Sequence, residues 1–163
     1  MFIERGGRRI HLSASTVQPD AVWVTQPARN LTPDLEDHPP AIGFLIRERD
    51  TQFGGPFDEV FRSEGAMVIP TPIRAPNANA YAERVIETVR AECLDPTLSL
   101  GRRHLDRMLR TYVEHAKRGR PHSALARATP VANDEAPIAV RPRDVRRQDL
   151  LGGLIYEYPG LAA

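Results

Sequence analysis

The sequence predicts an α/β fold, a mixed sheet flanked by helices, and three observations predict it. Strand-like segments open the chain, and helix-like and strand-like segments then alternate, as in α/β domains. Residues 42–46 are apolar throughout, which is typical of a strand buried on both faces of a sheet. Residues 100–116 form the clearest helical pattern, and its apolar face consists of Leu105, Met108, Leu109, Tyr112 and Val113.

The first 30 residues predict a hairpin followed by a helix. Residues 3–4 and 9–12 are strand-like and are separated by Gly6 and Gly7, which favours a tight turn. Residues 20–30 carry apolar positions at helical spacing. Pro27 lies inside this pattern and is expected to distort the helix, because proline lacks the N–H that a helix uses.

The middle of the chain predicts a strand, a short helix and a second strand. The run His38–Pro40 separates the first helix from the strand at residues 42–46. Residues 57–63 have helical spacing and end before Gly65, a typical helix stop. Residues 66–69 are the next strand.

A second amphipathic helix carries Glu83 in its first turn. Asn79 is a good N-cap for it. The apolar stripe of this helix consists of Ala82, Ile86, Val89 and Cys93. A carboxylate one turn into a helix is well placed at the lip of a site, although a surface Glu is more often simply solvated.

Several spaced motifs resemble the integrase-core (DDE) transposases of bacterial insertion sequences. They are IRERDTQF from Ile46, PNANAYAER from Pro76, RAECLD from Arg90 and RGRPHSAL from Arg118. The resemblance covers about residues 3–130. It implies a ribonuclease-H-like fold whose five-stranded sheet has the order 3-2-1-4-5.

The resemblance divides the chain and predicts a truncation. Residues 1–130 are expected to be a truncated integrase catalytic core, and residues 131–163 a Pro/Arg-rich tail with little regular structure, whose apolar end packs as an edge strand or stays loose. The family's first strand, which is central and carries the first catalytic Asp, is expected to lie upstream of Met1. Without it, we expect a marginal fold that re-pairs its half-sheets or borrows a strand.

The resemblance also supplies the catalytic expectations. Glu83 matches the third catalytic carboxylate, and Glu48 stands where the family has its second Asp. Asp50 is a weaker candidate, because along a strand it would lie about 6–7 Å further on. Glu48 and Glu83 are the expected ligands of weakly bound Mg²⁺ or Mn²⁺. With the first Asp absent and Glu48 one methylene longer than Asp, we expect impaired catalysis.

The second half of the chain is the predicted DNA-binding part. Residues 1–98 carry a net charge of −4 and residues 99–163 one of +5. The candidate phosphate contacts are Arg102, Arg103, Arg107, Arg110, Arg120 and His122. A solvated polar helix face explains the same arginines equally well, and 21 of the 22 basic residues are Arg.

Composition bounds the remaining properties. An apolar fraction of 41% without a long apolar run predicts a cytoplasmic protein with no membrane span. Cys93 is the single cysteine, which excludes an internal disulfide and favours a core role.

Two functions remain open at this point. The first is a domain for metal-dependent DNA strand cleavage and transfer that acts on insertion-sequence ends and target DNA. The alternative is a non-catalytic remnant that binds DNA or associates with intact transposase subunits to regulate them.

Overall fold

The computed structural model describes residues 1–36, 42–73, 79–118, 130 and 145–158 of the 163-residue chain. The helices are α1 (Ala21–Glu36), α2 (Pro56–Ser63), α3 (Ala80–Val89) and α4 (Arg102–Arg118), and a π-helical turn (Arg90–Leu94) follows α3. The strands are β1 (Phe2–Ile3), β2 (Ile10–His11), β3 (Phe44–Arg47), β4 (Met67–Pro70), β5 (Gln148–Leu150) and β6 (Ile155–Glu157). The predicted α/β class is confirmed.

The described strands form three separate pairs. β1 and β2 are antiparallel, β3 and β4 are parallel, and β5 and β6 are antiparallel. The five-stranded sheet that the resemblance implied is therefore not observed among the described strands. The expectation of a missing first strand stays a prediction.

The chain divides into two compact units, residues 15–85 and residues 1–14 with 86–163. In the first unit, α1 packs against α2, and α2 packs against β4. The rings of Phe53, Phe57 and Phe61 follow one another at centroid distances of 5.2 and 5.3 Å. The buried apolar residues of this unit are Val24, Ala28, Leu31, Phe57, Phe61 and Ala66.

Helix α1 is longer than its sequence predicts. It runs to Glu36 and contains both Pro27 and Pro33. Asp20 caps its start, since the Trp23 backbone N–H donates to Asp20 Oδ1 at 2.6 Å. The expectation that the helix ends near residue 30 was wrong, since α1 continues through Pro33 to Glu36 and packs against α2.

Strand β3 differs from its prediction in burial. Its side chains alternate in burial. Phe44 is 64% exposed and Ile46 is 49% exposed, while Leu45 and Arg47 are half-buried. Met67 lies opposite Phe44 on β4 and is 61% exposed. The prediction of burial on both faces was wrong, because the face that carries Phe44 and Ile46 is exposed and the face that carries Leu45 is half-buried.

The second unit is built around α4. Met108, Tyr112, Val113 and Ala116 are buried, and α4 packs against the π-helical turn. Cys93 is fully buried there, as predicted, and burial raises the pKa of its thiol. The predicted apolar face of α4 is confirmed, with Leu105 and Leu109 half-buried at its margins.

The end of the chain forms a hairpin. Residues 145–158 contain β5 and β6, so the last apolar patch pairs as strands instead of staying loose. His115 Nδ1 of α4 lies 2.7 Å from Glu157 Oε1 of β6. The other tail residues lie outside the described part of the chain. Among the described residues, no helix is long and apolar enough to cross a membrane.

Candidate active site

The carboxyl ends of β3 and β4 meet at one edge, because the two strands are parallel. Glu48 follows β3 directly, and Thr71 follows β4. The Thr71 backbone N–H donates to the Arg47 carbonyl at 2.8 Å, and Arg49 Nε donates to the Thr71 carbonyl at 2.6 Å. Because these two hydrogen bonds involve the residues on either side of Glu48, they hold its backbone at the carboxyl ends of β3 and β4.

A forked ion pair fixes the same strand end. Arg47 Nε and a terminal nitrogen donate to the two carboxylate oxygens of Asp58, both at 2.7 Å. The side chains are 13% and 7% exposed, so the pair is largely removed from water. The hydrogen bonds from Arg47 lower the pKa of Asp58 and raise that of Arg47. Arg47 also donates to the Glu48 carbonyl at 2.8 Å, which ties the fork to the candidate catalytic residue.

Asn79 connects Glu48 to the helix that carries Glu83. Its side-chain Nδ2 donates to Glu48 Oε1 at 3.0 Å. Its backbone carbonyl accepts the N–H of Glu83 at 3.0 Å, which closes the first turn of α3. Glu48 and Glu83 are both exposed and so are open to a ligand.

Asp50 takes part in its own turn. Its carboxylate accepts Gln52 Nε2 at 3.2 Å and the Gln52 backbone N–H at 3.4 Å. Its carbonyl accepts the Phe53 N–H at 3.0 Å. This is a local Asx-type turn. Asp50 is therefore held in the loop that follows β3. The residue that hydrogen-bonds to the Glu48 side chain is Asn79.

Sequence reasoning missed two of these interactions. It treated Asn79 only as a helix cap, and it assigned no role to Arg47 or Asp58. A signal for the fork was present, since an Arg at the end of an apolar strand needs an acidic partner when its side chain is buried. Nothing in the sequence specified that this partner lies on α2.

The candidate metal ligands are carboxylates, the type that a hard divalent cation prefers, but the candidate set contains two residues. Glu48 and Glu83 offer carboxylate oxygens, which Mg²⁺ and Mn²⁺ prefer. Within residues 1–36, 42–73, 79–118, 130 and 145–158, no group of three His, Cys, Asp or Glu side chains could hold a metal ion. Mg²⁺ commonly keeps several waters and uses one or two carboxylates together with substrate phosphates. The two glutamates are therefore of the ligand type that such a partly hydrated cation accepts.

The candidate phosphate contacts on α4 all face solvent. Arg102, Arg103, Arg107 and Arg110 are exposed. An open cleft of about 750 Å³ lies beside the C-terminal half of α4, and its basic lining residues are Arg110, His115, Lys117 and Arg118. Glu114 and Glu157 also line it, so its charge is mixed. Arg120 and His122 lie outside the described residues.

The family comparison covers the Glu83 helix and α4. Residues 65–130 match the family model described as Integrase core domain. This stretch is therefore similar to integrase core domains. The integrase-core resemblance, predicted for about residues 3–130, is therefore confirmed for residues 65–130.

The integrase core match begins after Glu48. It includes Asn79, Glu83 and all of α4, whereas Glu48 and Asp50 precede its first residue. The strand end that carries Glu48 is connected to the matched segment by the pairing of β3 with β4, and the Glu48 side chain by the hydrogen bond from Asn79. No curated protein and no solved structure matches the chain.

Proposed function

We propose that this chain is a DNA-integration domain of a transposase, which supports metal-dependent cleavage and transfer of DNA strands. The observation that carries the proposal is the integrase core match across Glu83, together with the hydrogen bond that brings Glu48 to the Asn79 end of the same helix. Glu48 and Glu83 are its proposed catalytic carboxylates, and Asp50 is not assigned a direct role.

The proposed chemistry is displacement at a phosphodiester. The oxygen of water, or of a DNA 3′-hydroxyl, forms a bond to phosphorus and gives up its proton to solvent. The bond from phosphorus to the leaving oxygen breaks, and that oxygen takes up a proton. Bound Mg²⁺ or Mn²⁺ would supply charge neutralisation for the phosphoryl group.

The residues of this chain have distinct proposed roles. Glu48 and Glu83 offer oxygen ligands at the strand edge and at the start of α3. The Arg47–Asp58 fork holds the strand end that carries Glu48. The exposed arginines of α4 contact DNA phosphates, which position the substrate without reading its sequence.

The test of the catalytic proposal compares two glutamates on one helix. The full chain is incubated with a branched DNA substrate and Mn²⁺, and cleaved and joined products are resolved on a denaturing gel. Glu83→Gln is expected to reduce product at least about 100-fold, because loss of a metal ligand would misplace the cation and the phosphoryl group that it neutralises. The matched control is Glu87→Gln, one turn later on α3 and also exposed, which is expected to keep parent activity. Equal activity of both variants would overturn the catalytic assignment.

A second function, DNA binding or regulation without catalysis, is favoured by the exposed arginines of α4. In this case the chain binds DNA or an intact transposase, and Glu83→Gln changes neither interaction. Retention of a DNA duplex on a filter is measured against salt concentration. Arg107→Ala and Arg110→Ala each remove one cation that would neutralise a phosphate. The plot of log affinity against log salt has a negative slope, and each variant should therefore make it shallower by about 0.9.

The control for this measurement is Arg62→Ala on α2. Arg62 is 51% exposed and pairs with Asp58 and Glu59. It is expected to leave the salt slope unchanged. A slope that is insensitive to both α4 variants would contradict DNA binding by this helix. Co-purification with an intact transposase would then test the regulatory role on its own.

A further inference from the structure

We propose that Asn79 is a positioning residue, which orients the Glu48 carboxylate toward the helix that carries Glu83. The inference rests on the proposed function, because it concerns how the two candidate ligands are brought to one site. It assigns to Asn79 a role beyond that of a helix cap. Asn79 itself is not proposed to touch the metal or the DNA.

Asn79 forms one hydrogen bond through its side chain and one through its backbone. Its side-chain amide reaches Glu48, 31 positions earlier in the chain, at 3.0 Å. Its main-chain carbonyl accepts the N–H of Glu83 at 3.0 Å. One residue therefore contacts both candidate ligand residues, one through its side chain and one through its backbone.

The side chain of Glu48 needs such a partner. It is exposed, and a glutamate has one more rotatable bond than an aspartate, so an unrestrained carboxylate would sample many positions. The hydrogen bond to Oε1 restricts this freedom. An ionised carboxylate has about four lone-pair sites, so Oε2 stays open to a cation.

An amide is suited to this task. It donates to the carboxylate without adding a positive charge that would compete with a divalent cation. A lysine or arginine in its place would neutralise the ligand. Hydrogen-bonding partners of metal ligands commonly contribute about 10–100-fold to metal affinity.

The rest of the strand edge is consistent with this role. The backbone on either side of Glu48 is already held by the Arg47–Asp58 fork and by the Arg49–Thr71 bond. The remaining freedom is that of the Glu48 side chain. The Asn79 amide donates a hydrogen bond to this side chain.

The experiment measures Mn²⁺ affinity of the full chain by electron paramagnetic resonance. It compares the parent chain, Asn79→Ser, Glu48→Gln and the double variant. Serine caps a helix about as well as asparagine, so Asn79→Ser keeps α3 but removes the amide donor. We expect Asn79→Ser to weaken Mn²⁺ binding about 10-fold, the low end of the range, because the bond is exposed. Glu48→Gln should weaken binding more, and the double variant should be no weaker than Glu48→Gln alone.

A matched control separates positioning from helix capping. Asp20→Ala removes the cap of α1, in which Asp20 Oδ1 accepts the Trp23 N–H. It should lower stability and leave Mn²⁺ affinity unchanged. A role of Asn79 in helix stability alone would instead give independent effects of Asn79→Ser and Glu48→Gln.

Each outcome decides between the two proposals. Parent-like affinity of Asn79→Ser, with weak binding by Glu48→Gln, would overturn the positioning role and leave the proposed function standing. Independent, additive losses of affinity would also overturn it. A parent chain that binds no Mn²⁺, or binds it equally well as Glu48→Gln, would overturn both.

Discussion

Two regions of the molecule keep their shape by different means. The helix region consists of α4, the π-helical turn before it and the hairpin β5–β6. In it, Met108, Tyr112 and Val113 of α4 are buried. The strand-edge region consists of β3, β4 and the residues that follow each strand. There, Phe44, Ile46 and Met67 remain largely exposed on one face of the sheet.

The strand-edge region relies instead on directional polar bonds. The Arg47–Asp58 fork, the Arg49–Thr71 bond and the Asn79–Glu48 bond all converge on the end of β3. Apolar burial stabilises a region without fixing individual atoms, whereas hydrogen bonds fix direction at little net gain in stability. The candidate catalytic residue Glu48 lies in this region, and the Asn79 bond connects it to the start of α3, which carries Glu83.

Met108→Ala is the strongest expected perturbation of the helix region. Met108 is 2% exposed, so its truncation leaves a cavity and should lower the free energy of unfolding by about 3–4 kcal/mol. Urea unfolding followed by far-ultraviolet circular dichroism measures the difference. Leu98→Ala is the control, since Leu98 is 79% exposed and should change stability by less than about 0.5 kcal/mol. Equal effects of the two variants would contradict a buried core around α4.

Asp58→Asn is the corresponding test of the strand-edge region. It removes the charge that pairs with Arg47, whose side chain is 13% exposed, and should lower the free energy of unfolding by about 3 kcal/mol. The fluorescence of Trp23, the single tryptophan, reports unfolding of the same unit.

The effect of Asp58→Asn should depend on pH with a defined sign. Because the folded pKa of Asp58 is lowered by Arg47, the pair contributes fully above the ordinary Asp pKa of about 4. Its contribution is lost as pH falls through the lower, folded pKa. The stability difference between parent and variant should therefore be largest near neutral pH and shrink in acid. Glu59→Gln is the control, since Glu59 is 74% exposed and should give a small difference at every pH.

Tyr112→Phe tests a polar bond inside the helix region. The Tyr112 hydroxyl donates to Glu92 Oε2 at 2.6 Å, which links α4 to the π-helical turn. Removing it should lower the free energy of unfolding by about 1 kcal/mol, because Glu92 is exposed and can hydrogen-bond to water instead. Tyr156→Phe, on the 47% exposed Tyr156, should change stability by less. A decrease of the size expected for Met108→Ala would mean that polar bonds dominate the helix region as well.

The helix region was predictable because its pattern is local. Apolar positions spaced three and four residues apart define the buried face of α4, and the observed helix, Arg102–Arg118, lies within two residues of the predicted one at each end. Capping and helical spacing are properties of neighbouring residues. The packing partner of α4 did not need to be known.

The strand-edge region was predictable only in part. The apolar run predicted the strand, and the resemblance predicted that Glu48 and Glu83 act together. The sequence could not specify how many strands pair in the sheet that contains the apolar run. It also could not find the Asn79–Glu48 bond, because these residues are 31 positions apart and their approach depends on how the strand and the helix are joined. Long-range interactions of this kind are set by tertiary structure, and a single sequence carries no local signal for them.

The smallest expected effect belongs to the exposed face of the strand-edge region. Ile46→Thr keeps a β-branched side chain on β3, and because Ile46 is 49% exposed it should change the free energy of unfolding by less than about 0.5 kcal/mol. Val68→Thr is the matched change on β4, at a half-buried position, and should cost about 1–2 kcal/mol because it places a hydroxyl where the side chain is partly removed from water. Urea titrations of both variants measure the difference. A decrease for Ile46→Thr as large as that for Val68→Thr would mean that both faces of the sheet are covered in solution. Apolar burial would then stabilise the strand-edge region as it does the helix region, and the contrast between the two regions would be wrong.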